Sequence, residues 1–134
     1  MDTPERIQHF LAGKPHAVVG ASTDRAKYGN KVLRCFQQHG RPVYPVNPRA
    51  PEVEGLVAYP DLKALPEKVH GISVITPPAV TKRVVEEAAA AGIRHIWMQP
   101  GAESPAAIAR AEELGMNVIA DGSCILVALG FRDE

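Results

Sequence analysis

The sequence predicts an α/β fold in which one parallel sheet of five to six strands carries helices on both faces. Two observations predict it. Short apolar runs rich in β-branched residues recur at 16–20, 42–46, 71–75, 95–98 and 117–120, and longer amphipathic segments separate most of them. Strands covered on both faces read as continuous apolar runs, and the segments between them supply the crossovers that parallel pairing requires. The pattern is that of a single doubly wound, Rossmann-like domain over residues 1–134, a length near the commonest size of one domain.

The elements follow in chain order. The run at 16–20 leads into the small-residue turn GASTDRAKYGN at 20–30. Residues 28–39 then place Val32, Leu33 and Phe36 on one face and stop at Gly40, a suitable left-handed cap, which predicts the first crossover helix. After the run at 42–46, the stretch GLVAYPDLKALP allows a short strand at 56–58 and one helical turn near 61–65. With that strand the sheet has six members, and right-handed crossovers favour the order 3-2-1-4-5-6. Residues 80–91 put Val80, Val84, Ala88 and Ala91 on one stripe ending at Gly92, and Ser104-Pro105 offers an N-cap and first-turn proline to a helix ending at Gly115. The twelve prolines and eleven glycines fall at the ends of these segments, so they punctuate structure and do not signal disorder.

Charge narrows the range of partners. Lys+Arg and Asp+Glu each count 15, which removes the electrostatic case for nucleic acid or an anionic membrane and requires any phosphate binding to be local. The longest apolar run, CILVAL at 124–129, is far below the ~20 residues that span a bilayer. Cys35 and Cys124 lie outside any CxxC spacing and MDTPERIQHF lacks the apolar core of a secretory signal, so a reducing cytoplasm is expected. No feature indicates an oligomer or protein partner.

In a doubly wound sheet the ligand crevice opens at the carboxyl ends of the strands, where strand order reverses. The residues leaving each strand are therefore the candidates. Gly20, Ala21, Ser22, Thr23 and Lys27 form a turn into a helix whose free N–H groups suit a pyrophosphate. GxGxxG is absent, since Ser22 stands at its second glycine and the next glycine is Gly29, which argues against an ordinary NAD site. Gly20 and Ala21 serve a tight turn equally well, and Ser22 and Thr23 serve as helix caps. Asn47, Pro48 and Arg49 follow the second strand, where an NAD enzyme presents a carboxylate to the ribose. A guanidinium there suits a ribose phosphate, either the 3′-phosphate of coenzyme A or the 2′-phosphate of NADP, unless it is a solvated loop charge. Thr76 and Pro77 make a rigid exit from the next strand that can wall a ligand or merely start a helix. Met98, Gln99 and Gly101 leave the following strand, Gln99 offering an amide and Gly101 close backbone approach, while Trp97 reads as core.

Catalytic constellations are not found. His9, His16, His39, His70 and His95 lack metal-pair spacing, Glu86-Glu87 and Glu112-Glu113 are adjacent on helices and do not face each other, and Ser123 has no strand-end histidine to activate it. The reading is therefore of a binding protein and not an enzyme. Cys124 opens an apolar stretch and reads as buried rather than reactive; a mixed disulfide between Cys124 or Cys35 and the thiol of coenzyme A requires an exposed thiol of lowered pKa.

AVVGAS at 17–22, VYPVNPRAPEVEGLVAYPDL at 43–62, AAGIRHIWMQPGA at 90–102 and the closing NVIADGSC carry a resemblance over most of the chain. The sequence resembles the small stand-alone coenzyme A-binding domain proteins, kin to the N-terminal domain of the succinyl-CoA synthetase alpha subunit. The resemblance implies phosphate contacts from Gly20, Ala21, Ser22 and Thr23, a 3′-phosphate contact from Arg49, an adenine side at Thr76 and Pro77, and a pantetheine arm at Met98 and Gln99. Two departures stand out: Ile75-Thr76-Pro77 where many relatives have arginine before proline, and Asp121-Gly122-Ser123-Cys124 where they have Asp-Arg-Cys. The synthetase's phosphorylated histidine belongs to a further domain, so ligase activity is not carried over. The expected ligand is coenzyme A or an acyl-CoA, with a nicotinamide dinucleotide, NADP(H) or NAD(H), as the alternative.

Overall fold

In the computed structural model, which describes residues 1–133, the chain opens with helix α1 at Thr3–Ala12 and strand β1 at His16–Val19. It continues through α2 (Tyr28–Gln38), β2 (Val43–Val46), a hairpin of β3 (Glu52–Val53) and β4 (Leu56–Val57), and a 3-10 turn at Leu62–Ala64. Then come β5 (Gly71–Val74), α3 (Pro78–Ala90), β6 (His95–Met98), α4 (Pro105–Glu113), β7 (Asn117–Ile119) and α5 (Ile125–Leu129).

Five strands form a parallel sheet in the order β2-β1-β5-β6-β7. Alternate residues of each strand enter opposite cores. Ala17, Val19, Ile72, Val74, Ile96 and Met98 meet Val84, Val85 and Ala88 of α3 and Ala107 and Ala111 of α4 on one face. Val18, Trp97 and Ile119 meet Phe10 of α1, Val32, Leu33 and Phe36 of α2 and Ile125 of α5 on the other. This two-sided burial is why the strands read as unbroken apolar runs.

The expected sixth strand is not part of this sheet. Leu56–Val57 pairs antiparallel with Glu52–Val53, across the two-residue turn Glu54-Gly55, whose φ values of 49° and 79° are both left-handed. A two-residue hairpin of the primed type demands positive φ at both positions, and it consumes the edge groups a parallel strand would use. A lone parallel bridge between Val46 and Tyr59 ties the hairpin's exit to β2. The order of the parallel strands is accordingly 2-1-3-4-5, not 3-2-1-4-5-6, and the reversal falls between β1 and β5.

Two helices were not anticipated. The start of α1 carries legible signals: the Asp2 side chain accepts from Glu5 N–H at 3.0 Å, and Pro4 sits in the first turn. Helix α5 is short, and its apolar stretch CILVAL resembles a strand as much as a helix.

Candidate functional site

The sheet's reversal point opens into a cleft of about 600 Å³ lined by Gly20, Ala21, Ser22, Thr23, Lys27, Tyr28, Gly29, Asn47, Arg49, Ala50 and Ile75. Three strand exits converge there, those of β1, β2 and β5. Ile75 N–H donates to Val19 O at 2.8 Å and Gly20 N–H to Val46 O at 3.3 Å, so the three exits are tied as one floor.

Gly20 is dictated by this crowding. Its φ is +97°, and a Cβ there would lie 1.9 Å from Ile75 O. Gly29 is equally constrained, since its Cβ would lie 2.0 Å from Gly20 O. The β1–α2 turn needs both glycines for packing before any ligand is considered.

The turn is held rigid from behind. Ser22 Oγ accepts from Asp24 N–H at 3.1 Å and Asp24 Oδ1 from Ala26 N–H at 2.9 Å. Buried Asn30 donates to Ser22 O at 2.8 Å and to Glu54 Oε2 at 3.0 Å, and Arg34 donates to Asn30 Oδ1 at 2.6 Å. Glu54 also accepts from Arg25, and these partners, Asn30 foremost, hold its carboxyl below the usual carboxylate range. The hairpin tip thus braces the turn, which gives the left-handed Glu54 a physical purpose.

Helix α2 starts at this turn with Lys27 as its N-cap, no side-chain capping bond and no acidic residue in its first turn. Its opening N–H groups and partial positive charge face the cleft without a carboxylate to occupy them. Lys27 and Arg49 are exposed on the rim, and neither forms an ion pair among the described residues. Asn47 has a mainly architectural role. It donates to Ala21 O at 2.9 Å, and its Oδ1 accepts from the N–H groups of Arg49 (2.7 Å) and Ala50 (3.1 Å), which aims the Arg49 loop.

A second cavity of about 260 Å³ shares Gly20 with the first and lies between the ends of β1 and β2 and helix α3. Val19, Val46, Val80 and Val84 make its walls with Pro48 and Thr76, and Asp61, Arg83 and Glu87 its rim. An apolar cavity with polar edges suits a heterocycle. Thr76 is fixed by a 2.8 Å hydrogen bond to the Thr81 hydroxyl. Pro77 is exposed and lines neither cavity; its carbonyl instead accepts from Val80 N–H at the start of α3.

The exit of β6 does not join this cleft. Met98 is fully buried in the core beneath α3 and α4, because its Cβ alternates to the face opposite Trp97. A pantetheine contact from its side chain is therefore corrected to a packing role. Gly101 is exposed at φ +97°, and its N–H points to the Glu103 carboxylate at 3.2 Å, a turn of its own. Gln99 is fully buried: Oε1 accepts from Ile125 N–H at 3.0 Å and from Tyr28 O–H at 3.1 Å. Trp97 is core, donating from Nε1 to Ser123 O at 2.9 Å. Sequence reasoning missed Tyr28, Ala50, Ile75, Arg83 and Glu87, whose place at the crevice depends on how helices and loops dock.

Comparison with known proteins bears on this geometry. Residues 14–130 match the family described as "CoA binding domain". The acetate–CoA ligase (ADP-forming) II subunit alpha of Pyrococcus furiosus is 32% identical over 91 residues, which are 67% of this chain but 20% of that subunit; the chain thus spans about a fifth of its length. The uncharacterized protein YneT of Bacillus subtilis is 30% identical over 112 residues, 84% of this chain and 82% of its own. The solved structure of a conserved hypothetical protein from Pyrococcus furiosus superposes with a TM-score of 0.81 at 41% identity, covering 86% of this chain and 98% of that one.

Proposed function

The chain belongs to the CoA-binding domain family, and on that premise we propose that it is a binding module that holds coenzyme A or an acyl-CoA by the 3′-phospho-ADP end. The pyrophosphate sits against Gly20–Thr23 and the start of α2. The 3′-phosphate meets Arg49 and Lys27, and the adenine enters the cavity beside Val80 and Thr76. One observation carries the reading: an uncapped helix start and two cations without acidic partners open onto the same 600 Å³ cleft at the sheet's reversal point. The chemistry of the site is recognition. Charged hydrogen bonds orient phosphates, and no nucleophile–base pair faces the cleft among the described residues.

The test is thermal shift and calorimetric titration with coenzyme A, acetyl-CoA, NADP and NAD. A ligand that binds only the folded state at ~100 times its Kd adds about 2.7 kcal/mol of stability. Stabilisation by coenzyme A or its thioester is the expected result; a response to NADP or NAD alone would sink the proposal.

A further inference from the structure

A peptide unit is planar and trans, so its carbonyl and the N–H of the following residue point in opposite directions. A turn that binds phosphate must therefore keep its carbonyls behind it, because a C=O turned into the cleft sets partial negative charge against the ligand. Two side-chain amides do this here. Asn47 Nδ2 donates to Ala21 O at 2.9 Å, and Asn30 Nδ2 donates to Ser22 O at 2.8 Å. The N–H groups on the far side of those two peptides belong to Ser22 and Thr23, and both residues line the cleft. Neither N–H donates to any group among the described residues. The later N–H groups of the same turn are taken: Asp24 N–H by Ser22 Oγ at 3.1 Å and Ala26 N–H by Asp24 Oδ1 at 2.9 Å.

The orientation of the Asn30 amide is itself dictated. Arg34, only 4% exposed, can donate but not accept, and its Nε meets Asn30 Oδ1 at 2.6 Å. The NH₂ group is thereby turned to the acceptors on the other side, Ser22 O and Glu54 Oε2, the latter at 3.0 Å. A flipped amide would set NH₂ against the guanidinium and its oxygen against a carbonyl and a carboxylate. Arg34 also donates from Nη2 to Arg25 O at 2.9 Å, and from Nη1 to Asp133 Oδ1 at 3.1 Å, which pairs its buried charge. Asn30 is fully buried on α2 and does not line the cleft, so it acts on a ligand only through the peptide it holds.

We propose that Asn30 is the positioning residue of the phosphate turn, with Asn47 its counterpart one peptide earlier: by holding the Ser22 and Ala21 carbonyls back, they aim the Thr23 and Ser22 N–H groups at the ligand's pyrophosphate. This inference rests on the coenzyme A reading above. Donors oriented before the ligand arrives spare it the cost of rotating the peptides. Asn47 also shapes the Arg49 loop, so Asn30 gives the cleaner test.

The experiment titrates isotope-labelled wild-type and Asn30→Ala protein with coenzyme A to saturation and follows the backbone amide resonances, with affinity from calorimetry and stability from urea unfolding. In the wild type the amide protons of Ser22 and Thr23 should move downfield on binding, as donors to a phosphate do. Asn30→Ala, studied where it is fully folded, should bind at least ~10-fold more weakly, with those two shifts reduced. Coenzyme A binding that leaves the wild-type Ser22 and Thr23 amides unmoved overturns the proposal, whether or not the variant folds. So does an Asn30→Ala protein of lowered stability that keeps either the wild-type affinity or the wild-type bound-state shifts, which assigns Asn30 to structure alone. Both results leave the coenzyme A reading standing. A wild type that binds no coenzyme A removes that reading, and this inference with it.

Discussion

The place of Arg49 after β2 makes it a candidate phosphate contact on sequence alone, and in the structure Asn47 Oδ1 accepts from its backbone N–H at 2.7 Å. Its side chain is exposed, so solvent screens its contribution. Arg49→Ala should weaken coenzyme A binding by about 1.5 kcal/mol, roughly tenfold, at the lower end for a charged hydrogen bond. Calorimetry giving unchanged affinity would return Arg49 to a surface charge. Gly20 was read with two explanations, and the 1.9 Å approach of a Cβ to Ile75 O makes the packing one sufficient. Gly20→Ala should therefore lower stability by ~2 kcal/mol or more in urea unfolding, with or without ligand. Met98 and Gln99 stand at a strand exit as expected, but alternation sends Met98 into the core and Gln99 to Tyr28 and α5; no single-residue signal reveals which face a strand presents to which helix.

Elements with strong periodicity were legible, and those whose identity depends on a partner were not. The segment at 56–58 has a strand's composition, yet the Glu54-Gly55 turn folds it back on β3 and keeps it out of the sheet. The consequence for the site is the Glu54 brace on Asn30 and Arg25. Helix α1 closes the other end of the molecule. Phe10 is fully buried, edge-on to Trp97 with ring centroids 5.4 Å apart, and Arg6 donates to Val118 O at 3.0 Å while Asn117 donates back to Arg6 O at 2.9 Å. Phe10→Ala should cost about 3–5 kcal/mol, the range for deleting a buried aromatic ring, as read from the urea midpoint. A loss under ~1 kcal/mol would mean that α1 is a loosely attached appendage.

At the scale of the whole molecule, histidines gather at the amino ends of β1, β5 and β6, the end of the sheet opposite the cleft. His70 stacks on His95 with centroids 4.1 Å apart, and His16 meets His70 edge-on at 5.7 Å. Burial, with the neighbouring histidines and arginines, lowers His16 and His95 to about 4. Their folded pKa values lie below the unfolded value of ~6.5, so the fold favours the neutral rings. That contribution is fully present above pH ~6.5 and is lost as pH falls from there towards 4. Unfolding by urea should show stability falling between pH 6.5 and 4.5. His16→Gln, which retains an N–H donor for Phe10 O, should flatten part of that slope; a flat wild-type profile would refute the expectation. By itself the sequence determined the alternation of strand and helix and the positions of the strand exits, because periodicity and turn residues act locally. Only the tertiary structure decided that the sixth strand leaves the sheet, that Met98 belongs to the core and that Cys124 sits half-buried against the Tyr28 hydroxyl. Those outcomes depend on which surfaces meet, and residues as distant as Tyr28 and Cys124 come together only when the sheet and helices pack.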